Sequence, residues 1–570
     1  MPAGRMFVLI ASLAFLLNPG CVTTVPDDNG NDNDNGNDNG NANVNDNGNG
    51  NGGEPGPTLF VRASSCAPCH NALTDDAGDD VSIETAWKAT MMANAARDPY
   101  FLAKVAAEVA RTPALKETIE DTCATCHMPM ARTQALADGA DRSMLGDGYL
   151  DPGNGLHAEA LDGVSCTVCH QIEDVGLGEN TSFSGEYTIE LQTAMPDRTN
   201  YGPYTAPDVD LMQASTGFVP RYGEHVEEAA LCATCHTLFT PSVDAEGNVV
   251  GEFPEQVAFF EWMHSDYGDG VGEDKPCQAC HMPDAEGGVV ISVAPAGLDA
   301  RTPFARHHFV GGNSFMLNVL KSHAGELEVA AADGHFDSVV ARTSAQLQND
   351  TADVTIVNAA AEADSLSIEV KVDNKAGHKF PTGFPARRAW VHLTVRDGYG
   401  SVVFESGAPR TDGSIAGNDS DDDVSTFEPH YTIITEADQV QVYQSIMQNT
   451  DGDVTHTLLR GAAYAKDNRL LPLGFDKTTA GATFATIGAA FDDPDFVGGS
   501  DTIAFAVDIT GHEGPFEVTA ELLYQSVAHP FVEDLREEDE ELVSRFVSFF
   551  DAADKTPVAI DTAQFLVAGE

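Results

Sequence analysis

The pattern Cys-x-x-Cys-His occurs five times, at Cys66, Cys69 and His70; Cys123, Cys126 and His127; Cys166, Cys169 and His170; Cys232, Cys235 and His236; and Cys277, Cys280 and His281. Two thiols one short turn apart can each form a thioether to the same porphyrin edge. The His that follows is then delivered beneath the ring as an axial iron ligand. Zinc sites and redox dithiols also use Cys-x-x-Cys, but neither needs a His directly after the second Cys. Ten of the 11 cysteines lie in these motifs. The spacing therefore implies five covalently bound haem c groups, with the ten Cys as thioether sites, iron as the metal and His70, His127, His170, His236 and His281 as proximal ligands.

Each iron then needs a sixth ligand or presents an open position. Thirteen His remain, the 18 of the chain less five. His157 and His225 stand shortly upstream of the third and fourth motifs, where a His can ligate a neighbouring iron while its own segment leads into the motif. His307 and His308 follow the last motif; adjacent side chains point differently, so one of the two is expected to bind. His264 and His378 complete the distal His candidates. Met92 follows His70 by 22 positions; a thioether on iron would raise that haem's potential, whereas core packing is the ordinary role of a helical Met. His323 is weaker, His392 falls in a strand pattern, and His335, His430, His456, His512 and His529 carry no signal. No catalytic residue is assigned.

The elements that position these residues follow from patterning. Residues 85–111 are Ala-rich with helical apolar spacing, and the rest of the motif region is rich in Gly, Pro and Asp, as expected for loops. From about residue 340 the chain loses Cys and gains strand alternation at 352–357, 365–372, 390–395, 402–405, 502–508 and 516–523, followed by an acidic helix at 532–552 and a last strand at 557–560. The expected fold class is α+β and multidomain: a mainly helical and loop multihaem cytochrome domain over 58–340, then a β-sandwich-like domain over 341–570 with an insertion at about 410–500.

The N-terminus reads as an export segment. Arg5 precedes a 12-residue apolar run at 6–17, too short to span a bilayer, so residues 1–20 form a signal peptide. Cys21, the one Cys outside the motifs, stands where a lipoprotein is acylated, although Asn18 occupies a position usually filled by a Leu-like residue. Residues 21–57 then comprise a lipid-anchor Cys and an Asn/Asp/Gly stalk with no apolar period to pay for ordering. The expected location is the periplasmic or cell-surface face of a bacterial, outer, membrane.

Net charge is −59, from 30 basic and 89 acidic residues. That excludes nucleic acid as a partner and disfavours anionic membrane surfaces. A solubilising surface is the simpler reading; an acidic face for a basic redox partner is the functional one.

Three stretches, HAEALDGVSCTVCH, the pair CATCHMP and CQACHMP, and WKATMMANA, give the first half a resemblance to the bacterial group that includes pentahaem nitrite reductase, hydroxylamine oxidoreductase and their multihaem electron carriers. The third is similar to a Trp-x-x-Ser-x-His-Ala-x-Ala pattern of that group, with Thr90 for Ser and Met92 for His. GHKFPTGFPARRAWVHLTV, EPHYTIITEADQVQVYQ and KDNRLLPLGF resemble a C-terminal extension of exported multihaem cytochromes. Pentahaem nitrite reductase carries a Lys in one motif, and all five motifs here end in His, so the resemblance implies a cytochrome without that activity.

The function expected is electron transfer along a haem chain, between membrane-linked or quinol-linked carriers and extracytoplasmic redox proteins. A first alternative is a multihaem oxidoreductase with one open iron acting on a small nitrogen or sulfur compound, Arg387 and Arg388 binding an anion. A second is a haem-bearing binding module that docks through the β-domain.

Overall fold

The computed structural model of the chain describes residues 56–268 and 274–569. The expected signal peptide, Cys21 and nearly all of the stalk lie outside the described residues. No helix among the described residues is long and apolar enough to cross a membrane.

The first half is made of short helices joined by long irregular segments, and every motif sits on one of those helices: Ala67–His70, Lys116–His127, Cys166–Cys169, Ala229–His236 and Cys277–His281. One helical turn places the two Cys on one face and brings the His beside them.

The expected single helix over 85–111 is interrupted. Ile83–Trp87 ends, turns follow, and Pro99–Arg111 begins anew. Asp98 stands before Pro99, where the proline ring disfavours helical backbone. The Asp98 carboxylate then accepts from the Tyr100 and Phe101 N–H groups and caps the new helix. Met92 therefore lies in the turn, not on a helix. Gly163, at φ +60, seats the approach to the third motif on that turn: a Cβ there would meet the Met92 and Ala93 carbonyl oxygens at 2.7 Å. Two β pairs also occur in this half, Arg198–Gly202 with Phe218–Tyr222 in parallel and the hairpin Thr237–Val243 with Val249–Val257.

The second half contains two packed sheets. One has the order β1 (Ala352–Glu362), β2 (Ser365–Asn374), β7 (Ser500–Asp508) and β5 (Ile433–Ile434). In the other, β3 (Arg388–Arg396) pairs with β8 (Phe516–Gln525), which pairs with β9 (Val558–Val567); the second edge of β3 is shared by β4 (Val402–Ser406) and β6 (Val442–Tyr443). Alternate residues of β2 are buried, and Ile368, Val370 and Val372 pack with Val391, Leu393, Val395, Val518 and Leu522 in one core. This is the β-sandwich-like C-terminal region of an α+β protein.

Three local differences have simple causes. The segment at 410–500 is less an insertion than a completion, because it supplies β5 and β6. The acidic helix is two helices, His529–Leu535 and Glu541–Ala552, separated by Arg-Glu-Glu-Asp-Glu; four adjacent acids repel along a helix. The last strand runs on to Val567.

The expected boundary at 340/341 falls inside the helix Asp333–Asp350. Across it, Tyr100, Ala103, Phe253, Leu317 and Phe336 share one core with Ala386, Phe531 and Phe546. Arg111 adds ion pairs to Asp534 (2.9 Å) and Glu538 (2.6 Å).

Candidate haem centres

One cavity of about 2180 Å³ is lined by Cys and His residues of all five motifs. Pockets for a single small molecule measure about 300–1,000 Å³, so this space suits several large apolar groups. Its wall includes His70, His127, His170, His236, His281, His307, His378 and Met92.

Four of the five proximal rings are oriented by backbone carbonyls. Nδ1 of His70 donates to Ile291 O at 2.7 Å, that of His127 to Ala95 O at 3.1 Å, that of His170 to Tyr201 O at 2.6 Å and that of His281 to Val310 O at 2.5 Å. A carbonyl only accepts, so Nδ1 carries the proton and Nε2 keeps its lone pair for a metal. Burial lowers the affinity of the His70, His127, His170 and His236 rings for a second proton, to about 4 for His127 and His236. Neutral imidazole is the form that ligates iron. Phe101 stacks on the His127 ring at 3.5 Å.

Two proximal rings face a second imidazole. His170 and His307 have ring centres 6.4 Å apart with planes at 21°, and His281 and His378 are 6.3 Å apart at 15°. Two imidazoles on opposite sides of one metal, each with a bond of about 2 Å and about 1.1 Å from nitrogen to ring centre, place the centres about 6.2 Å apart. The two distal rings also engage Nδ1, His307 with Ala305 O at 3.1 Å and His378 with Lys379 O at 2.9 Å. His378 reaches His281 from the segment between β2 and β3, across the join between the two halves.

The other expected distal residues are placed differently. His157 Nδ1 donates to Tyr149 O at 2.8 Å, and its Nε2 lies 3.6 Å from the Glu328 carboxylate; the ring is not in the cavity wall. His225 is buried with Nε2 donating to Ile172 O at 2.9 Å, which leaves only Nδ1 for a metal. His264 is exposed against Phe484, with Nδ1 on Phe260 O. His308 is half-buried outside the wall; burial, with Arg342 and Arg306 nearby, holds its pKa at about 4. Met92 is half-buried in the wall. Arg388 is fully buried in an ion pair with Asp421 at 2.8 Å, a fold contact, whereas Arg387 lines the cavity.

The motif sulfurs meet in pairs. Cys66 neighbours Cys166, Cys126 neighbours Cys235, and Cys232 neighbours Cys277. Motif one thus abuts motif three, two abuts four, and four abuts five, an order unrelated to the sequence order.

The orienting carbonyls, the Phe101 stack and two buried acids near the second motif, Glu108 and Glu255, escape sequence reasoning. Carbonyls have no residue type to read, and single Glu residues in an acidic chain give no signal.

Residues 65–171, which hold the first three motifs, match the family model for cytochrome c554 and c-prime. A search of curated proteins found no match. Among solved structures, the penta-heme cytochrome c552 from Thermochromatium tepidum is similar in fold, with a TM-score of 0.50 at 17% identity over 90% of this chain and 100% of that one. The family match covers the first three motifs, and the solved structure shares the fold of the chain.

Proposed function

We propose that the protein is an exported, lipid-anchored pentahaem cytochrome that passes electrons along five closely spaced haems, between a membrane-linked or quinol-linked carrier and an extracytoplasmic redox partner. The observation that carries this reading is the single cavity walled by all five motifs, within which His307 and His378 stand opposite His170 and His281 at the spacing of paired axial ligands. The contacts between motif sulfurs support short steps between neighbouring haems. Haem supplies the one-electron chemistry; the chain fixes the imidazoles through carbonyls, excludes water and sets the local charge.

Anchoring through Cys21 and the outer-membrane location rest on the N-terminal sequence. Absorption and EPR spectra of the purified oxidised protein, followed by cyanide, nitric oxide and hydroxylamine, test the electron-carrier reading. Low-spin haem inert to all three is expected. A high-spin fraction near one haem in five that binds these ligands would overturn it in favour of an oxidoreductase with an open iron.

A further inference from the structure

The second motif has a neighbour that electron transfer by itself does not require. The strand Val249–Val257 carries Glu255 into the cavity wall, where the side chain is buried. Among the described residues, two buried carboxylates line this cavity, Glu108 and Glu255. Glu108 is engaged: its oxygens accept from the Leu458 N–H at 2.6 Å and the Leu459 N–H at 3.3 Å. Glu255 is not. Its Oε1 receives a long contact of 3.4 Å from Gln256 Nε2, and its buried Oε2 has no hydrogen-bond partner.

The groups that face this carboxylate come from four elements. Gln256 is on its own strand. Tyr100, Lys104 and Glu108 project from Pro99–Arg111, with the Tyr100 hydroxyl also buried and without a partner. Cys123 and Cys126 lie within electrostatic reach on the helix of the second motif. Tyr464, on Ala463–Asp467, donates to Pro254 O at 2.8 Å beside it. Lys104 is the cation of this set, and its Nζ is committed to His456 O at 2.9 Å and to Asp534 at 3.5 Å. Burial, and then Glu108 beside it, pushes the Glu255 carboxyl up to about 7. In a medium of low dielectric, adding an electron nearby raises the proton affinity of such a group further.

We propose that Glu255 is a redox-linked proton acceptor for the second motif: its carboxylate gains one proton from solvent when the iron held by His127 gains one electron from a one-electron donor protein or mediator. Electron and proton arrive together, so the net charge of the pocket stays constant and the cost of an uncompensated buried charge is avoided. This inference rests on the proposed haem at Cys123 and Cys126.

The test is a spectroelectrochemical titration of the haem-loaded full chain at several pH values around neutrality. One component whose midpoint falls by close to 59 mV per pH unit, the value for one proton per electron, is expected in the wild type. In Glu255→Gln that component becomes independent of pH while the others keep their profiles. A wild type without such a component, or a dependence that survives in Glu255→Gln, overturns the proposal. Reduced-minus-oxidised infrared spectra of the wild type decide the matter without a variant: a carboxylic acid band that appears on reduction and shifts in deuterium oxide is expected, and its absence overturns the proposal. Haem content of a Cys123→Ser, Cys126→Ser variant separates the two levels, since undiminished haem there would sink the haem assignment itself.

Discussion

His378 works as a side chain held by the backbone on one side and offered to the cavity on the other. Its Nδ1 is engaged by Lys379 O and its ring stands 6.3 Å from that of His281. His378→Ala should convert about one haem in five from low-spin to high-spin and open it to cyanide, read by EPR and by the Soret shift; unchanged spectra would mean that this ring does not serve an iron. A second residue-level test lies outside the cavity wall, where His430, Asp493 and Asp501 converge. His430 Nδ1 accepts from the Gln441 amide at 2.8 Å and the Asn468 amide at 3.1 Å, and both amide oxygens are pinned by backbone N–H groups. The ring proton is therefore on Nε2, donated to Asp493 at 3.0 Å, and the ring is not free for a cation. Burial pushes Asp501 up to about 7, with Asp493 adding to the rise. A carboxyl raised in the fold gives its stability fully below about pH 4 and loses it as pH climbs through 7, a change of about 4 kcal/mol. Asp501→Asn should thus melt higher than the wild type at pH 8, with the difference closing as pH falls to about 4.

At the scale of elements, the join between the halves depends on the short helix Ala258–Met263. Its buried Glu261 accepts from the Thr382 hydroxyl at 2.6 Å and the Lys379 N–H at 3.2 Å, and pairs with Arg469 at 2.8 Å. Arg469 and Lys379 both also meet Asp467. Removing one member of a buried ionic network leaves uncompensated charge and costs about 3–5 kcal/mol. Glu261→Ala should lower the urea midpoint accordingly, and it should also raise the high-spin signal, because Lys379 adjoins His378. A stability loss without any spectral change would uncouple the tie from the ligand. The broken helix before Pro99 has a similar logic: it turns the chain so that Ala95 O meets His127, a contact that one continuous helix over 85–111 would not make.

For the molecule as a whole, one cavity of about 2180 Å³ joins all five motifs, a space larger than a single small ligand needs. The motif region also shares a core with the C-terminal helices, since Pro99–Arg111 packs on Glu541–Ala552. A chain cut after residue 350 should therefore fail to accumulate as soluble, haem-loaded protein, measured by haem stain and pyridine haemochrome. A truncated form with full haem content and native spectra would restore the picture of a detachable binding module. The charge of −59 fits a soluble, self-repelling surface at this scale.

The sequence by itself determined the cofactor chemistry, because thioether attachment demands Cys-x-x-Cys-His within five consecutive residues. It also determined the β character of the second half, because the two-residue alternation of strands such as Ser365–Asn374 is a local property. Strand limits there agree within two residues except in the first and last strands, which run on to Glu362 and Val567. Tertiary structure alone decided what depends on distant pieces of chain. His307 and His378 meet His170 and His281 from 137 and 97 positions away, counted along the chain. His157 and His225, adjacent in sequence to motifs, are turned to Tyr149 and Ile172. The join near residue 340 is legible as a change of composition, yet it is a helix in a shared core. Local spacing encodes what a residue can bond to covalently; which ring faces which, and which acid is left without a partner, follows only from how the whole chain closes around its cavity.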